Sequence, residues 1–80
     1  MIVKVPGVRS IRITSEYIKL DALLKFASIA MTGGEAKLLI QDGKIMVNRA
    51  PCLLRGKKIR PGDIVCCCQE TLVIKAKNKI

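Results

Sequence analysis

Residues 37–60 read KLLIQDGKIMVNRAPCLLRGKKIR, and this stretch decides the fold class. Seven of its residues are basic, and Asp42 is its single acid. Glycines and prolines at positions 43, 51 and 56 interrupt the charges on both sides of the apolar residues 45–47. A long basic helix would not contain so many helix breakers, and a disordered basic tail would not contain so many aliphatic residues. The pattern therefore predicts a helix followed by a hairpin, with one strongly positive face.

The residues before this stretch predict two helices in close succession. Apolar residues recur at helical spacing over residues 20–31, in two stripes. Thr32 and Glu35 have the spacing of a capping box, which would begin a second helix. Gly43 is in the position of a terminal glycine, so we expect that helix to end near residue 42. Because almost no linker separates the two helices, they should form a tight corner like that of a helix-turn-helix.

Strand signals flank the helical pair. Segments of strand character cover residues 8–14, 45–47, 58–60, 64–68 and 72–76, with turns expected over residues 48–51, 61–63 and 69–71. Alternating lysines predict a fraying basic tail over residues 75–80. Helices and strands together indicate an α+β fold.

Size and charge limit the classes of function. Eighty residues suffice for one small domain, residues 1–80. The net charge is +9, of which +3 comes from the first forty residues and +6 from the second forty, so the binding surface should lie mainly in the second half. A nucleic-acid backbone is the favoured partner, and anionic lipid or an acidic protein are alternatives. No apolar run reaches the roughly 18 residues of a membrane span, and the first residues lack a leader pattern, so we expect a cytoplasmic protein that does not enter membranes.

Catalysis, cofactors and metals are not indicated. The chain has no His, no phosphate loop ending in Lys-Ser or Lys-Thr, and no nucleophile beside a base. Cys66, Cys67 and Cys68 are adjacent, which suits neither a disulfide framework nor the paired spacing of zinc ligands. We interpret them as strand residues, with Cys66 and Cys68 on one face and Cys67 on the other. A thiol-based metal or redox site is the alternative.

Four short motifs, in order, resemble the S4-like RNA-binding domain. They are Lys19-Leu20-Asp21 followed by Leu24, the helix body of residues 36–43, residues 45–48 ending in Val-Asn, and the turn of residues 61–64. The resemblance covers residues 19–65. The start Thr32-Gly33-Gly34 and the loop of residues 55–58 are similar to the short, stand-alone YaaA-type members, whereas many larger relatives have a Ser-Arg pair where this chain has Thr32-Gly33.

The resemblance implies a fold and a partner. Two helices would pack in an alpha-L corner against a small, mostly antiparallel sheet. The partner would be structured RNA, often ribosomal, and stand-alone members are linked to ribosome assembly. We expect a monomer that acts without catalysis.

The candidate RNA-binding residues follow from charge and backbone. At Gly33 and Gly34 a phosphate could approach free backbone N–H groups closely, although a sharp turn between the helices is an equally good reason for two glycines. Asn48 could contact a base edge or a 2′-hydroxyl, or could serve as a turn residue with a left-handed backbone. With Tyr17 and Phe26 as the only aromatics, a stacking platform for single strands is not expected, which favours folded RNA. The basic candidates are Lys25, Lys37, Arg49, Arg55, Lys57 and Lys58.

The alternative hypothesis is that the chain is a protein-interaction adaptor. Ala22, Phe26 and Ile29 would form an exposed apolar stripe on the first helix, and the positive charge would meet an acidic protein.

Overall fold

The computed structural model describes residues 7–67 and 70–77. Within these ranges the chain forms two helices and seven strands. In chain order they are β1 (Gly7–Ile13), β2 (Ile18–Lys19), α1 (Leu20–Phe26), α2 (Gly33–Gln41), β3 (Ile45–Val47), β4 (Ala50–Pro51), β5 (Lys58–Ile59), β6 (Ile64–Cys67) and β7 (Glu70–Ala76). The expected α+β class is confirmed.

The strands form one larger sheet and one short ribbon. The larger sheet has the order β1-β7-β6-β3-β4, in which β1 and β7 run parallel and every other pair is antiparallel. In the ribbon, β2 pairs antiparallel with β5. The sheet is therefore mostly antiparallel, as the family resemblance implied.

The helices bury one face each against the sheet. Leu20, Leu23 and Leu24 of α1 are fully buried, as are Ala36 and Ile40 of α2. Each such leucine stabilises the fold by about 1.5–3 kcal/mol. They meet the inner face of the sheet, whose buried residues are Ile11, Ile13, Ile45, Val47, Val65, Cys67, Leu72 and Ile74. The two helices also pack on each other, which forms the expected corner.

Helix α1 is shorter than the predicted residues 20–31. It ends at Phe26 because Ser28 adopts a left-handed backbone, with φ of 62°. The N–H groups of Ser28 and Ile29 then donate to the carbonyls of Lys25 and Leu24, the paired bonds of a Schellman motif. The apolar spacing that suggested a longer helix continues in a turn, where Met31 is exposed rather than buried.

Helix α2 begins and ends as predicted. The Thr32 hydroxyl accepts a hydrogen bond from the Glu35 N–H at 3.1 Å. The Glu35 carboxylate accepts from the N–H of Met31, one residue before the capping position. At the other end Gly43, with φ of 75°, follows the last helical turn.

Three details of the strands differ from expectation. Residues 50–51, expected in a turn, pair with β3, because the turn is confined to positions 48 and 49. Glu70 and Thr71 belong to β7 rather than to a turn, because β7 pairs with β1 along its whole length. Lys75 and Ala76 end β7, as expected of the strand over residues 72–76, so the tail does not begin at residue 75. The end of the strand expected over residues 64–68, the first residue of the expected turn and the last three residues of the expected tail lie outside the described residues. The expected turn at Pro61-Gly62 is confirmed, since Gly62 has φ of 98° and the Asp63 N–H donates to the Arg60 carbonyl.

In the described part of the chain, neither helix is long and apolar enough to cross a membrane.

Candidate nucleic-acid interface

The loop of residues 55–58, called the basic loop below, is held against the start of α1 by its backbone. The first N–H groups of a helix have no partner within the helix, and Lys19 at the capping position provides no side-chain acceptor. The carbonyl of Lys57 accepts from the Leu20 N–H at 2.9 Å, and that of Arg55 accepts from the Asp21 N–H at 3.2 Å. Because the loop carbonyls face the helix, the side chains of Arg55, Lys57 and Lys58 remain exposed.

The ribbon β2–β5 adds a second group of cations beside the basic loop. Lys19 and Lys58 are directly opposite each other, and both are exposed. The Lys58 Nζ lies 4.8 Å from the centre of the Tyr17 ring, and the Arg60 Cζ lies 6.0 Å from it. These are cation–π distances, so Tyr17 holds two cations in place. We call Tyr17, Lys19, Lys58 and Arg60 the ribbon face.

Among the described residues, no carboxylate forms an ion pair with these cations. Within residues 7–67 and 70–77 one ion pair forms, between Arg9 and Glu70 at 2.9 Å, and neither residue belongs to the candidate surface. The Asp63 carboxylate accepts from the Arg60 N–H at 2.8 Å and from the Asn48 amide at 3.1 Å, and the Asp21 carboxylate accepts from the Ala22 N–H. The carboxylates of Asp21 and Asp63 thus accept hydrogen bonds from backbone N–H groups and from an amide rather than pairing with the cations of this surface.

The start of α2 places Gly33 and Gly34 in the open. Both are exposed, and neither has a positive φ. A Cβ atom on Gly33 would meet nothing within 4 Å, and one on Gly34 would meet only the Thr32 hydroxyl, at 3.8 Å. Glycine in a helix costs about 1 kcal/mol relative to alanine. The turn between the helices therefore does not require these glycines, and a contact between their N–H groups and a phosphate stays a prediction.

Lys37 and Lys25 lie on the two packed helices. Lys37 is exposed on α2, one turn after Gly33 and Gly34. Lys25 is exposed in the last turn of α1, four residues after Asp21 and hence about one helical turn from the docked basic loop. Lys37, Gly33 and Gly34 on α2 are connected to the basic loop through the packing of α2 on α1.

Asn48 and Arg49 form a tight hairpin turn between β3 and β4. Their φ values are 51° and 71°, as in a type I′ turn, where Asn-Gly is preferred. The Asn48 Nδ2 donates to Asp63 and its Oδ1 accepts from the Ile64 N–H at 2.9 Å. The amide thus stabilises the turn from both ends, and a contact between Asn48 and RNA stays a prediction. Arg49 is exposed and occupies a conformation that glycine would adopt with less strain.

A groove of about 410 Å³ connects this turn to the basic loop. Its walls are residues 47–48 and 50–54 on one side and Lys57 on the other. Leu53 and Leu54 in its wall are more than half exposed. The structure therefore brings Asn48 and Lys57 to one groove, and Arg55 and Lys58 lie in the same loop as Lys57.

Sequence reasoning missed Lys19, Tyr17 and Arg60 as members of this surface. The signal was present in part, because Tyr17 and Lys19, like Lys58 and Arg60, are two residues apart and so share a face of an extended segment. What the sequence did not supply was the pairing of these two short segments with each other.

Two alternative hypotheses, a protein-interaction adaptor and a thiol-based site, require side chains that the described part of the structure does not bring onto one surface. Ala22 and Phe26 are exposed on α1, but Ile29 lies beyond the helix end and packs against the core, so the three do not form one helical stripe. Cys66 is half-buried beside Thr71 on one face of the sheet and Cys67 is buried on the other, while Cys68 lies outside the described residues. Among the described residues no group of three or more metal-ligating side chains forms.

Comparison with known proteins gives two matches. A sequence model of the S4 domain matches residues 11–75. The chain is 38% identical over 55 residues to a probable ribosome maturation protein, RlbA, of Bacillus subtilis strain 168. That similarity covers 69% of this chain and 78% of the relative.

The opposed lysines of the ribbon predict a gain in stability on charge reversal. Like charges directly opposite on paired strands are unfavourable, and opposite charges are favourable by about 0.2–1 kcal/mol. We therefore expect Lys19→Glu to raise the free energy of unfolding, measured with urea at low salt, by about 0.5 kcal/mol over the neutral control Lys19→Gln. High salt should remove the difference. Equal stability of the two variants at low salt would contradict the geometry of the ribbon face.

Proposed function

The chain belongs to the S4 domain family, and from this premise we propose that it is a non-enzymatic protein that binds structured RNA. The observation that carries the proposal is the set of exposed cations around the start of α1 that have no carboxylate partner among the described residues. A polyanion whose charges are regularly spaced can satisfy several such cations at once, and each contact releases condensed counterions.

The basic loop and the ribbon face are the proposed centre of the RNA surface. Arg55, Lys57 and Lys58 contact phosphates of the backbone, and Arg60 and Lys19 extend the contact along the ribbon. Arginine is the better residue for paired hydrogen bonds to a phosphate, whereas lysine acts as a point charge. Tyr17 is a positioning residue, because it limits where the Lys58 and Arg60 side chains can lie.

The start of α2 is the proposed second contact. The N–H groups of Gly33 and Gly34 lie at the positive end of the helix dipole, where a phosphate is favoured. Lys37 on α2 and Lys25 on α1 are both exposed, and they are the cations proposed to assist this contact. Arg49 is proposed to contact the RNA backbone as well, from the hairpin turn whose other residue, Asn48, lines the groove beside the basic loop. Asn48 we place in support of that turn, since its amide is engaged on both atoms.

Ribosomal RNA or a ribosomal particle is the proposed target. The support is the relative that is a probable ribosome maturation protein. We propose a role in ribosome maturation, carried out by a cytoplasmic monomer. Crosslinking in cells, followed by sequencing of the attached RNA, should recover ribosomal RNA or its precursors, and recovery of other RNA classes alone would contradict this part of the proposal.

Neutralising the basic loop should weaken RNA binding and flatten its salt dependence. In the variant Arg55→Gln/Lys57→Gln/Lys58→Gln, the logarithmic slope of affinity against salt concentration should become shallower by about two to three, since each phosphate contact contributes about 0.7–0.9. The measurement is fluorescence anisotropy with a folded ribosomal RNA fragment at several salt concentrations.

A matched control removes the same charges elsewhere. Arg12→Gln/Lys75→Gln/Lys77→Gln also loses one arginine and two lysines, from β1, β7 and the residue after β7. Its slope should stay close to that of the unmodified protein. If both triple variants lose the same affinity, net charge rather than the basic loop governs binding.

Alanine at the start of α2 should have opposite effects on stability and binding. Gly33→Ala and Gly34→Ala meet open space and should each raise the free energy of unfolding by up to about 1 kcal/mol. The added methyl groups should weaken RNA binding by about tenfold, or about 1.4 kcal/mol, because they hold a phosphate away from the N–H groups. Gln41→Ala, at an exposed position late in the same helix, is the control that leaves RNA affinity unchanged. If the alanine variants bind RNA as tightly as the unmodified protein, the start of α2 is not part of the contact.

A further inference from the structure

The face of the larger sheet that points away from the helices is mostly apolar, with Ser10 and Thr71 as polar members. One row of register partners crosses all five strands, from Val8 through Thr71, Cys66 and Met46 to Pro51. The row beside it contains Ser10, Val73 and Ile64. Since side chains alternate along a strand, these residues lie on the opposite face from the buried Val65, Leu72 and Val47. We call the two rows the outer sheet face.

The apolar side chains of the outer sheet face are unusually exposed to water. Val8 is 71% exposed, Ile64 41% and Met46 37%. Cys66 and Val73 are half-buried among them. An antiparallel sheet with one solvated face normally places polar residues there. A contiguous apolar patch of this kind typically marks an interaction surface.

Positive charges border the patch. Arg12 and Lys75 are register partners at one end of the same face. Arg49 lies at the other end, where it borders a depression of about 410 Å³ together with Asn48, Ile64, Cys66 and Thr71. Within the described strands no acidic residue occupies this face. Asp63, the residue before Ile64, is half-buried, and its carboxylate accepts hydrogen bonds from the Asn48 amide and from the Arg60 N–H.

We propose that the outer sheet face is a docking surface for an acidic protein segment that presents aliphatic side chains. An aliphatic side chain of the partner fills the depression beside Ile64 and Cys66. Carboxylates elsewhere in the partner segment pair with Arg12, Lys75 and Arg49. Apart from Arg49, which borders both surfaces, the proposal uses residues that the proposed RNA surface does not, so it does not rest on RNA binding.

Charge and chemistry favour this occupant over two others. A second copy of the chain would bring two cationic rims together, which is unfavourable at moderate salt. An RNA strand would gain little from the centre of the patch, since bases bind proteins by stacking on aromatic rings or arginines and this centre contains aliphatic and sulfur-bearing side chains. An acidic segment with aliphatic side chains complements both the apolar centre and the positively charged rim of the face.

A displayed library of random peptides, selected on the full chain, tests the proposal. We expect the recovered peptides to combine Asp or Glu with Leu, Ile or Val. Each should bind Met46→Ser/Ile64→Ser at least about tenfold more weakly than the unmodified protein, as expected for truncation of buried contacts at the centre of an interface. Arg12→Gln/Lys75→Gln/Lys77→Gln should weaken peptide binding as well, while it leaves RNA binding intact.

Two controls separate this face from its rivals. Phe26→Ser, on the exposed side of α1, should bind the peptides normally, and so should the triple glutamine variant of the basic loop. Met46 and Ile64 are both more than a third exposed, so their replacement by serine should leave the urea unfolding curve close to that of the unmodified protein. If serine at these positions nonetheless prevents folding, the charge variant alone decides, because none of its three residues is buried.

Several outcomes would overturn the proposal. Peptides without an acidic bias, or peptides that bind the Met46 and Ile64 variants as well as the unmodified protein, would do so. So would a loss of RNA affinity in Met46→Ser/Ile64→Ser, which would assign the face to the RNA surface. Dimerisation of the unmodified chain that disappears in this variant, measured by sedimentation, would assign the face to a second copy instead.

Discussion

Two backbone hydrogen bonds, from the N–H groups of Leu20 and Asp21 to the carbonyls of the basic loop, are the contact on which the rest of this structure depends. Helix α1 has no side-chain cap, so its first N–H groups would be unpaired without the loop. The same bonds turn the loop carbonyls inward and leave its cationic side chains facing water. One interaction therefore stabilises the helix and presents the charge, and residues more than thirty positions apart in sequence become neighbours.

The candidate surface is also where the chain departs from local structural preference. Gly33 and Gly34 occupy helical positions that have room for a side chain. Lys19 and Lys58 oppose each other without an acid between them, and Arg49 has a left-handed backbone. Each departure costs stability on its own, and a bound anion would offset each of them. Such departures are expected to collect at functional sites, and here they collect near the exposed cations.

Local signals in the sequence predicted much of the fold. Thr32, Glu35 and Gly43 marked the limits of α2, and Pro61-Gly62 marked a turn, because capping and turn formation depend on residues that are close in sequence. The end of α1 was missed, since Ser28 takes a conformation usually left to glycine and nothing in the apolar spacing signals it. The short strands β2 and β4 were missed for another reason. They exist only through pairing with residues elsewhere in the chain, and two-residue segments have no periodicity of their own.

The candidate site was likewise predictable where it depends on local sequence and not where it depends on strand pairing. Charge and glycine content pointed to the basic loop and to the start of α2, but the ribbon face required the pairing of β2 with β5. The apolar outer sheet face also required the register, because Met46, Cys66 and Val8 share a row only after four strands have paired. Residue type is visible in a sequence, whereas the coincidence of distant residues on one face is a property of the fold.

A titration of the isotope-labelled protein with a folded ribosomal RNA fragment, followed by backbone amide NMR, tests the central claim most directly. The amide signals of Lys19, Gly33, Gly34 and residues 55–60 should shift together at one affinity. Those of Met46, Ile64 and Val73 should stay in place. Shifts concentrated on the outer sheet face, or spread evenly over the molecule, would contradict the claim that the basic loop docked on α1 is the centre of RNA binding.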